Sequence, residues 1–220
     1  MFIVVFGPAL ATKSSRSLTI DAWNTGAEHY PDWLEKHATP LLTAKLGGAE
    51  ALFRFMEEEL KPALAKRYHI DPNKQTLFGH SYGGLFALGV LMDHPEAFQS
   101  YIISSPSLWW NDSEAFDRAR RFAKRQSGVA SPAAARVVLS VGARELKPGP
   151  FTTETSTPQG GSSASRPLSQ ACREMAALLE SLEIPGISVE FQEFPEEEHG
   201  TVLMPAATHG VRRVFQSYGS

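Results

Sequence analysis

The 220-residue sequence has a single cysteine, little net charge and no long apolar run. Cys172 cannot form an internal disulfide, and its amphipathic helical surroundings are typical of a small core residue. The formal net charge of -3 gives no electrostatic reason to expect nucleic acid or an anionic membrane as a partner. The apolar run near the N-terminus is too short to span a bilayer and has no basic segment before it, so we expect a cytoplasmic chain.

The length and a hydrophobic content of 42% fit a single domain, residues 1–220, with a large core. Apolar or alternating stretches predict strands at residues 2–6, 75–78, 98–104, 135–141 and 187–194. Helical patterns lie between and after them. They are found at residues 49–68, with a kink at Pro62, from the turn after the second strand to about residue 93, and at 113–126, 168–182 and 204–218. This alternation predicts an α/β fold with a mostly parallel sheet and helices on both faces.

Two stretches have no clear period. Residues 21–48 mix Trp, Pro, Gly and His, and we expect a long loop beside a site. Residues 148–167 are rich in Pro, Gly, Ser and Thr and bury too little surface to offset the entropy of ordering. We expect this second stretch to be a mobile loop.

The pattern G-x-S-x-G occurs as Gly79-His80-Ser81-Tyr82-Gly83, between an apolar strand end and an apolar helix start. In this pattern the serine occupies a strained strand-to-helix turn, and a Cβ at either glycine would collide with the neighbouring backbone. The following helix aims its first N–H groups at the same point, which favours an anionic oxygen there. The alternative is a glycine-rich turn in which Ser81 is only an N-cap, so a catalytic role needs a base and an acid elsewhere.

A base and an acid are found after two later strands. Glu145 follows the strand that Gly142 closes, and His199 follows the last predicted strand. The order Ser81, Glu145, His199 is that of serine hydrolases built on parallel sheets. Imidazole takes the proton of the serine hydroxyl during attack, and a carboxylate orients the imidazole. These residues predict a Ser-His-acid triad.

Several alternatives stay open at this point. His209 competes with His199 as the base, although its sequence pattern is helical and does not end a strand. Beside His199 stands an acidic run that competes with Glu145 as the acid, namely Glu196, Glu197 and Glu198. A Ser–His pair without a fixed acid is a further alternative. We interpret His80 as a packing residue that points away from Ser81.

Four blocks together resemble the esterase D-like family of α/β-hydrolases: "GGAEALFRFMEEELKPALAKRY", "LFGHSYGGLFAL", "SPSLWWND" and "EEEHGTVLMPAATHG". Relatives in that family include siderophore esterases that open enterobactin-type trilactones. The resemblance implies an α/β-hydrolase fold and an esterase with Ser81 as nucleophile and His199 as base. We expect a small-molecule ester as substrate and neither a metal nor an organic cofactor.

The resemblance also extends to groups around the substrate. Arg16 is similar to a family arginine that binds a substrate oxygen or carboxylate, and its alternative role is a solvated loop cation. The Tyr82 amide is the predicted first oxyanion donor. Trp109 and Trp110 are candidates for an aromatic wall against the substrate, and their alternative role is to fill the core.

One departure from the family concerns the front of the sheet. Family domains begin with additional strands before the one that matches Phe2–Phe6, and a loop there supplies the second oxyanion donor. We expect this chain to lack those first strands. The exposed edge of Phe2–Phe6 then predicts a homo-oligomer paired through that edge, or aggregation.

Two functions compete with ester hydrolysis. The same triad serves acyl transfer to an acceptor other than water. A catalytically impaired, non-enzymatic relative would keep the serine turn without a working oxyanion hole, since loss of one oxyanion donor costs about 10²–10³ in rate.

Overall fold

Five parallel strands form one sheet in the computed structural model, which describes residues 1–6, 48–129, 133–146 and 166–218. The strands lie in chain order and are β1 (Phe2–Phe6), β2 (Thr76–His80), β3 (Ser100–Ser104), β4 (Ala135–Gly142) and β5 (Ile187–Phe194). Every neighbouring pair is parallel. β1 is at one edge of this sheet, where β2 is its partner among the described residues.

The helices alternate with these strands. They are α1 (Ala49–Phe55), α2 (Lys61–Ala65), α3 (Tyr82–Asp93), α4 (Ala115–Gln126), α5 (Leu168–Ser181) and α6 (Leu203–Tyr218). A π-helical segment, Met56–Leu60, joins α1 to α2 and ends just before Pro62, which has no N–H to donate to the preceding turn. Helix α2 ends three residues before the predicted end at residue 68, and a short 3₁₀ helix, Trp110–Ser113, precedes α4.

The two faces of the sheet carry separate cores. Because right-handed crossovers between strands in chain order all lie on one side, helices α3 to α5 share one face. Leu77 and Tyr101 point into that core, whereas their neighbours Phe78 and Ile102 point to the opposite face and meet Val214 of α6. Helices therefore cover both faces, which confirms the predicted α/β class.

Helix α6 lies unusually close to β3. A Cβ added at Gly210 would come within 2.3 Å of Ile102 Cγ2. Because real Cβ atoms do not approach so closely, a glycine at this position lets the helix backbone pack onto the strand. On the other face, α3 is buried along most of its length, from Gly83 to Met92, which is why its sequence is apolar throughout.

The carboxyl ends of β2 to β5 lie side by side. His80 at the end of β2 is in register with Ser104, and Gly142 at the end of β4 is in register with Phe194. Loops that follow these strands therefore meet at one edge of the sheet, where ligands bind in such folds. The position of the site follows from this register.

Some predictions fall on residues that the structure does not describe. The predicted loop at residues 21–48 lies outside the described residues except for its last position, and so does Arg16. The predicted mobile loop at 148–167 lies outside them except for its last two residues. In the part of the chain that is described, no helix is both long enough and apolar enough to cross a membrane.

Candidate active site

Ser81 stands in a strained turn between β2 and α3. Its φ of 58° and ψ of -120° lie outside the regions that residues with a side chain normally adopt. The turn is tight because a Cβ at Gly79 would come within 1.9 Å of the Gly83 carbonyl oxygen. The Ser81 N–H donates to the Ser104 carbonyl oxygen at 3.0 Å, which ties the turn to the neighbouring strand. Surrounding contacts thus hold a conformation that the local chain disfavours.

His199 reaches the Ser81 hydroxyl from the loop after β5. Its Nε2 lies 3.0 Å from Ser81 Oγ, and its Nδ1 lies 2.7 Å from Glu145 Oε2. An ionised carboxylate only accepts hydrogen bonds, so Nδ1 carries the ring proton and Nε2 is left to accept from Ser81. The imidazole is thereby in the tautomer that can take the serine proton.

Glu145 is the buried member of this chain of contacts, with its side chain 2% exposed. Oε1 accepts two hydrogen bonds, from Ser105 Oγ at 2.6 Å and from the Gly142 N–H at 2.8 Å. Oε2 is therefore the oxygen that faces His199. A Cβ at Gly142 would come within 2.4 Å of the Glu197 carbonyl oxygen, so this glycine allows the acid loop and the histidine loop to lie against each other.

His80 also contacts the proposed triad, and the interpretation of the sequence missed this contact. Its ring packs against the His199 ring with centroids 4.8 Å apart, and its Nδ1 lies 3.0 Å from Ser104 Oγ. Burial, and after it the proximity of His199, lowers the pKa of His80 to about 4. The ring is thus neutral at physiological pH. His80 does pack, as predicted, but it packs against the histidine of the site.

Two serines after β3 were not predicted as site residues. Ser105 donates to Glu145, and Ser107 Oγ lies 3.4 Å from Ser81 Oγ. The signal that could have found them is the one that found Glu145, because polar residues follow the carboxyl end of β3 in the sequence Ser104-Ser105-Pro106-Ser107.

The competing residues have other contacts. His209 lies on α6, where its Nε2 is 3.4 Å from Glu190 Oε1. Glu196 pairs with Arg144 on the surface. The main-chain N–H of Glu198 is bonded to Thr201 Oγ1 at 2.9 Å. The hydrogen bonds at Ser81 and His199 instead join Ser81, His199 and Glu145.

The aromatic candidates lie beside the turn. Trp109 and Trp110 are 8% and 6% exposed, and the Tyr82 ring meets their rings edge-on at centroid distances of 5.7 and 5.3 Å. Most of each indole surface is therefore buried in the core, and part of it packs against the residue that follows Ser81. Their contact with a substrate stays a prediction.

Comparison with known proteins adds the family relationship. Residues 9–195 match the Esterase family model, described as "Putative esterase". The chain belongs to this esterase family. It is 37% identical over 166 residues to the ferri-bacillibactin esterase BesA of Bacillus subtilis, covering 76% of this chain and 51% of the relative. It is 34% identical over 173 residues to the siderophore enterobactin esterase of Emericella nidulans, with 75% and 55% covered.

A solved structure has a similar fold. The crystal structure of the BES protein from Bacillus cereus superposes with a TM-score of 0.63 at 32% identity, covering 78% of this chain and 58% of that one. The chain spans about half the length of the curated relatives that it matches. The predicted relationship to ester hydrolases that include siderophore esterases is confirmed.

Proposed function

We propose that this chain is a serine carboxylester hydrolase in which Ser81 is the nucleophile, His199 the general base and Glu145 the acid that orients it. The observation that carries this proposal is the unbroken run of hydrogen bonds from Ser81 Oγ through His199 to Glu145. A serine that only joins a strand to a helix has no reason to adopt a strained backbone of positive φ, whereas a nucleophile at a sheet edge does.

The reaction proceeds in two halves. Ser81 Oγ attacks the ester carbonyl carbon while His199 Nε2 takes its proton, and the imidazolium then gives this proton to the leaving alkoxide. Water next attacks the acyl-serine with His199 again as base, and the acid product leaves as Ser81 regains its proton. The buried Glu145 carboxylate stabilises the imidazolium in both halves.

The oxyanion that forms in each half needs hydrogen-bond donors. The Tyr82 N–H opens helix α3, where the N-terminal dipole of the helix favours negative charge. Arg16 is proposed as an additional contact to a substrate oxygen. Trp109 and Trp110 are proposed to border the acyl group through the edges that remain accessible.

The proposed substrate is a small-molecule ester of the siderophore type, such as a trilactone. Support comes from the names of the two curated relatives, a ferri-bacillibactin esterase and a siderophore enterobactin esterase. The proposed chemistry requires no metal or organic cofactor, because the hydroxyl, imidazole and carboxylate supply the nucleophile and the proton transfers. A cytoplasmic location stays a prediction from the sequence.

The nucleophile is tested with a fluorophosphonate probe. We expect one label per chain, at Ser81, and none in Ser81→Ala, with peptide mass spectrometry to locate it. Ser100→Ala is the matched control, since Ser100 is a buried serine at the start of β3, and the nucleophile turn contacts the other end of that strand. A folded chain that takes no label, or takes it at another residue, contradicts the proposal.

The substrate class is tested separately. We expect the chain to hydrolyse a trilactone siderophore with a higher kcat/KM than p-nitrophenyl acetate, measured by chromatography of the products. Hydrolysis of the aryl ester alone would keep the esterase and remove the siderophore assignment. Ester exchange that outcompetes hydrolysis when a simple alcohol is added would assign acyl transfer.

We also propose that the chain pairs with a second copy through the β1 edge. Strand β1 ends the described sheet, and its sequence Phe2–Phe6 is wholly apolar and aromatic. A row of unpaired main-chain groups on such a strand invites pairing with another chain. Light scattering tests this proposal. A dimeric parent chain and a monomeric Val4→Pro variant support it, and a monomeric parent chain contradicts it.

A further inference from the structure

The segment Ser104–Ser107, here called the β3 exit segment, contacts two members of the proposed triad, Ser81 and Glu145. The Ser104 carbonyl oxygen accepts from the Ser81 N–H at 3.0 Å, and the Ser107 N–H donates to the Ser81 carbonyl oxygen at 3.2 Å. Between these two contacts, Ser105 Oγ donates to Glu145 Oε1 at 2.6 Å. One short segment thus holds both the nucleophile turn and the acid.

Ser105 is itself held in an uncommon conformation. Its φ is 42°, and its N–H donates to the Ser140 carbonyl oxygen of β4 at 2.8 Å. The residue is fully buried. A left-handed residue that is not glycine persists only where its surroundings define it, and such residues cluster at functional sites. The main chain here aims the hydroxyl at the carboxylate.

The hydroxyl has a specific effect on the carboxylate. Oε1 of Glu145 is held by Ser105 and by the main-chain N–H of Gly142, so Oε2 is the oxygen presented to His199 Nδ1. Without the hydroxyl, one donor remains and the carboxylate can rotate about its Cγ–Cδ bond. Oε2 would then leave its position against the imidazole for part of the time.

We propose that Ser105 is a positioning residue of the esterase site, which fixes the rotamer of Glu145 and through it the tautomer and orientation of His199. This inference rests on the proposed function. Its rival is a purely structural role, in which the hydroxyl only satisfies a buried carboxylate. The rival predicts lower stability with unchanged chemistry, whereas positioning predicts a lower kcat.

The test compares Ser105→Ala, Ser105→Gly and the control Ser100→Ala. Glycine accepts a φ of 42° without strain, so Ser105→Gly removes the hydroxyl and keeps the main chain even if alanine disturbs folding. Both Ser105 variants should lower kcat for p-nitrophenyl acetate about 10- to 100-fold with KM nearly unchanged, as expected for a misplaced catalytic group. Ser100→Ala should retain kcat within about twofold, since that residue lies at the far end of β3.

A second readout does not depend on turnover. The proton shared by His199 Nδ1 and Glu145 should give a low-field ¹H NMR signal that is absent from His199→Ala, and both Ser105 variants should shift or broaden it. Retained kcat and an unchanged signal in Ser105→Gly overturn the positioning role, whatever the melting temperature. If the unmodified chain shows neither turnover nor fluorophosphonate labelling, the proposed function is contradicted. In that case the NMR signal by itself tests whether Ser105 positions Glu145.

Discussion

Replacing Glu145 by glutamine should abolish most of the turnover without disturbing the fold. The reason lies in the two donors on Oε1, because the Gly142 N–H and the Ser105 hydroxyl both require an acceptor there. The glutamine oxygen therefore takes the Oε1 position, and its NH₂ group takes the Oε2 position, 2.7 Å from His199 Nδ1. If the amide were rotated by 180°, its NH₂ group would face the Gly142 N–H, which is a donor and cannot accept a hydrogen bond.

The amide then selects the wrong tautomer. His199 Nδ1 must accept from the NH₂ group, so the ring proton moves to Nε2 and points at Ser81 Oγ, 3.0 Å away. A protonated Nε2 cannot take the serine proton. The comparable Asp→Asn change in a serine protease triad costs about 10⁴ in kcat, which corresponds to about 5 kcal/mol of transition-state stabilisation. We expect a similar loss here.

Steady-state hydrolysis of p-nitrophenyl acetate at pH 7 measures this loss. We expect kcat to fall about 10⁴-fold with KM changed little, because the amide is nearly isosteric and the substrate does not contact it. Glu197→Gln is the matched control from the acidic run beside His199, and it should retain most of the activity. Equal and small effects of the two changes would refute the tautomer argument and leave a Ser–His pair without a fixed acid.

Three further predictions follow from the same geometry. His199→Ala should lower kcat at least as much as Glu145→Gln, about 10⁴-fold or more, because it removes the base itself, whereas His209→Ala should retain most of the activity; the reverse result would move the base to His209. Gly210→Ala would place a Cβ 2.3 Å from the buried Ile102 side chain of β3. Such overpacking costs about 1–3 kcal/mol of stability, so calorimetry should show a lower Tm. Gly128→Ala is the control, because a Cβ there meets open space and should leave the Tm unchanged. Burial lowers the pKa of His80 to about 4 from an unfolded value of about 6.5. The unfolded state therefore binds more protons between these two pH values, and the free energy of unfolding falls as the pH drops through them. His80→Gln should remove that part of the pH dependence of unfolding, and an unchanged pH dependence contradicts the assignment.

The strands were predictable because their signals are local. An apolar run such as Tyr101 to Ile103, bounded by polar residues, has the length and composition of a buried parallel strand, and the structure places β3 at Ser100–Ser104. The break at Met56–Leu60 was not predictable in form. Whether a helix meets a proline with a kink or with a π-helical segment depends on what packs against it, and Met56 is fully buried in the core.

The candidate site divides in the same way. Ser81 is marked by a five-residue pattern whose first glycine is required by the backbone of the turn, as the 1.9 Å approach at Gly79 shows. Glu145 and His199 were predicted to meet because both follow strand ends, and the carboxyl ends of parallel strands share one edge of the sheet. Their order along the chain added to this, although neither residue carries a local motif of its own.

The sequence by itself determined the elements, the parallel sheet and the edge at which polar residues gather, because periodicity and turn chemistry act over a few neighbouring residues. Only the tertiary structure decided which atoms meet there. Ser105 and Glu145 are 40 positions apart and His80 and His199 are still further apart, yet each pair is in contact. Such contacts depend on strand register and on the close approach of loops, as at Gly142, and a shift of one residue would point every side chain of a strand to the other face.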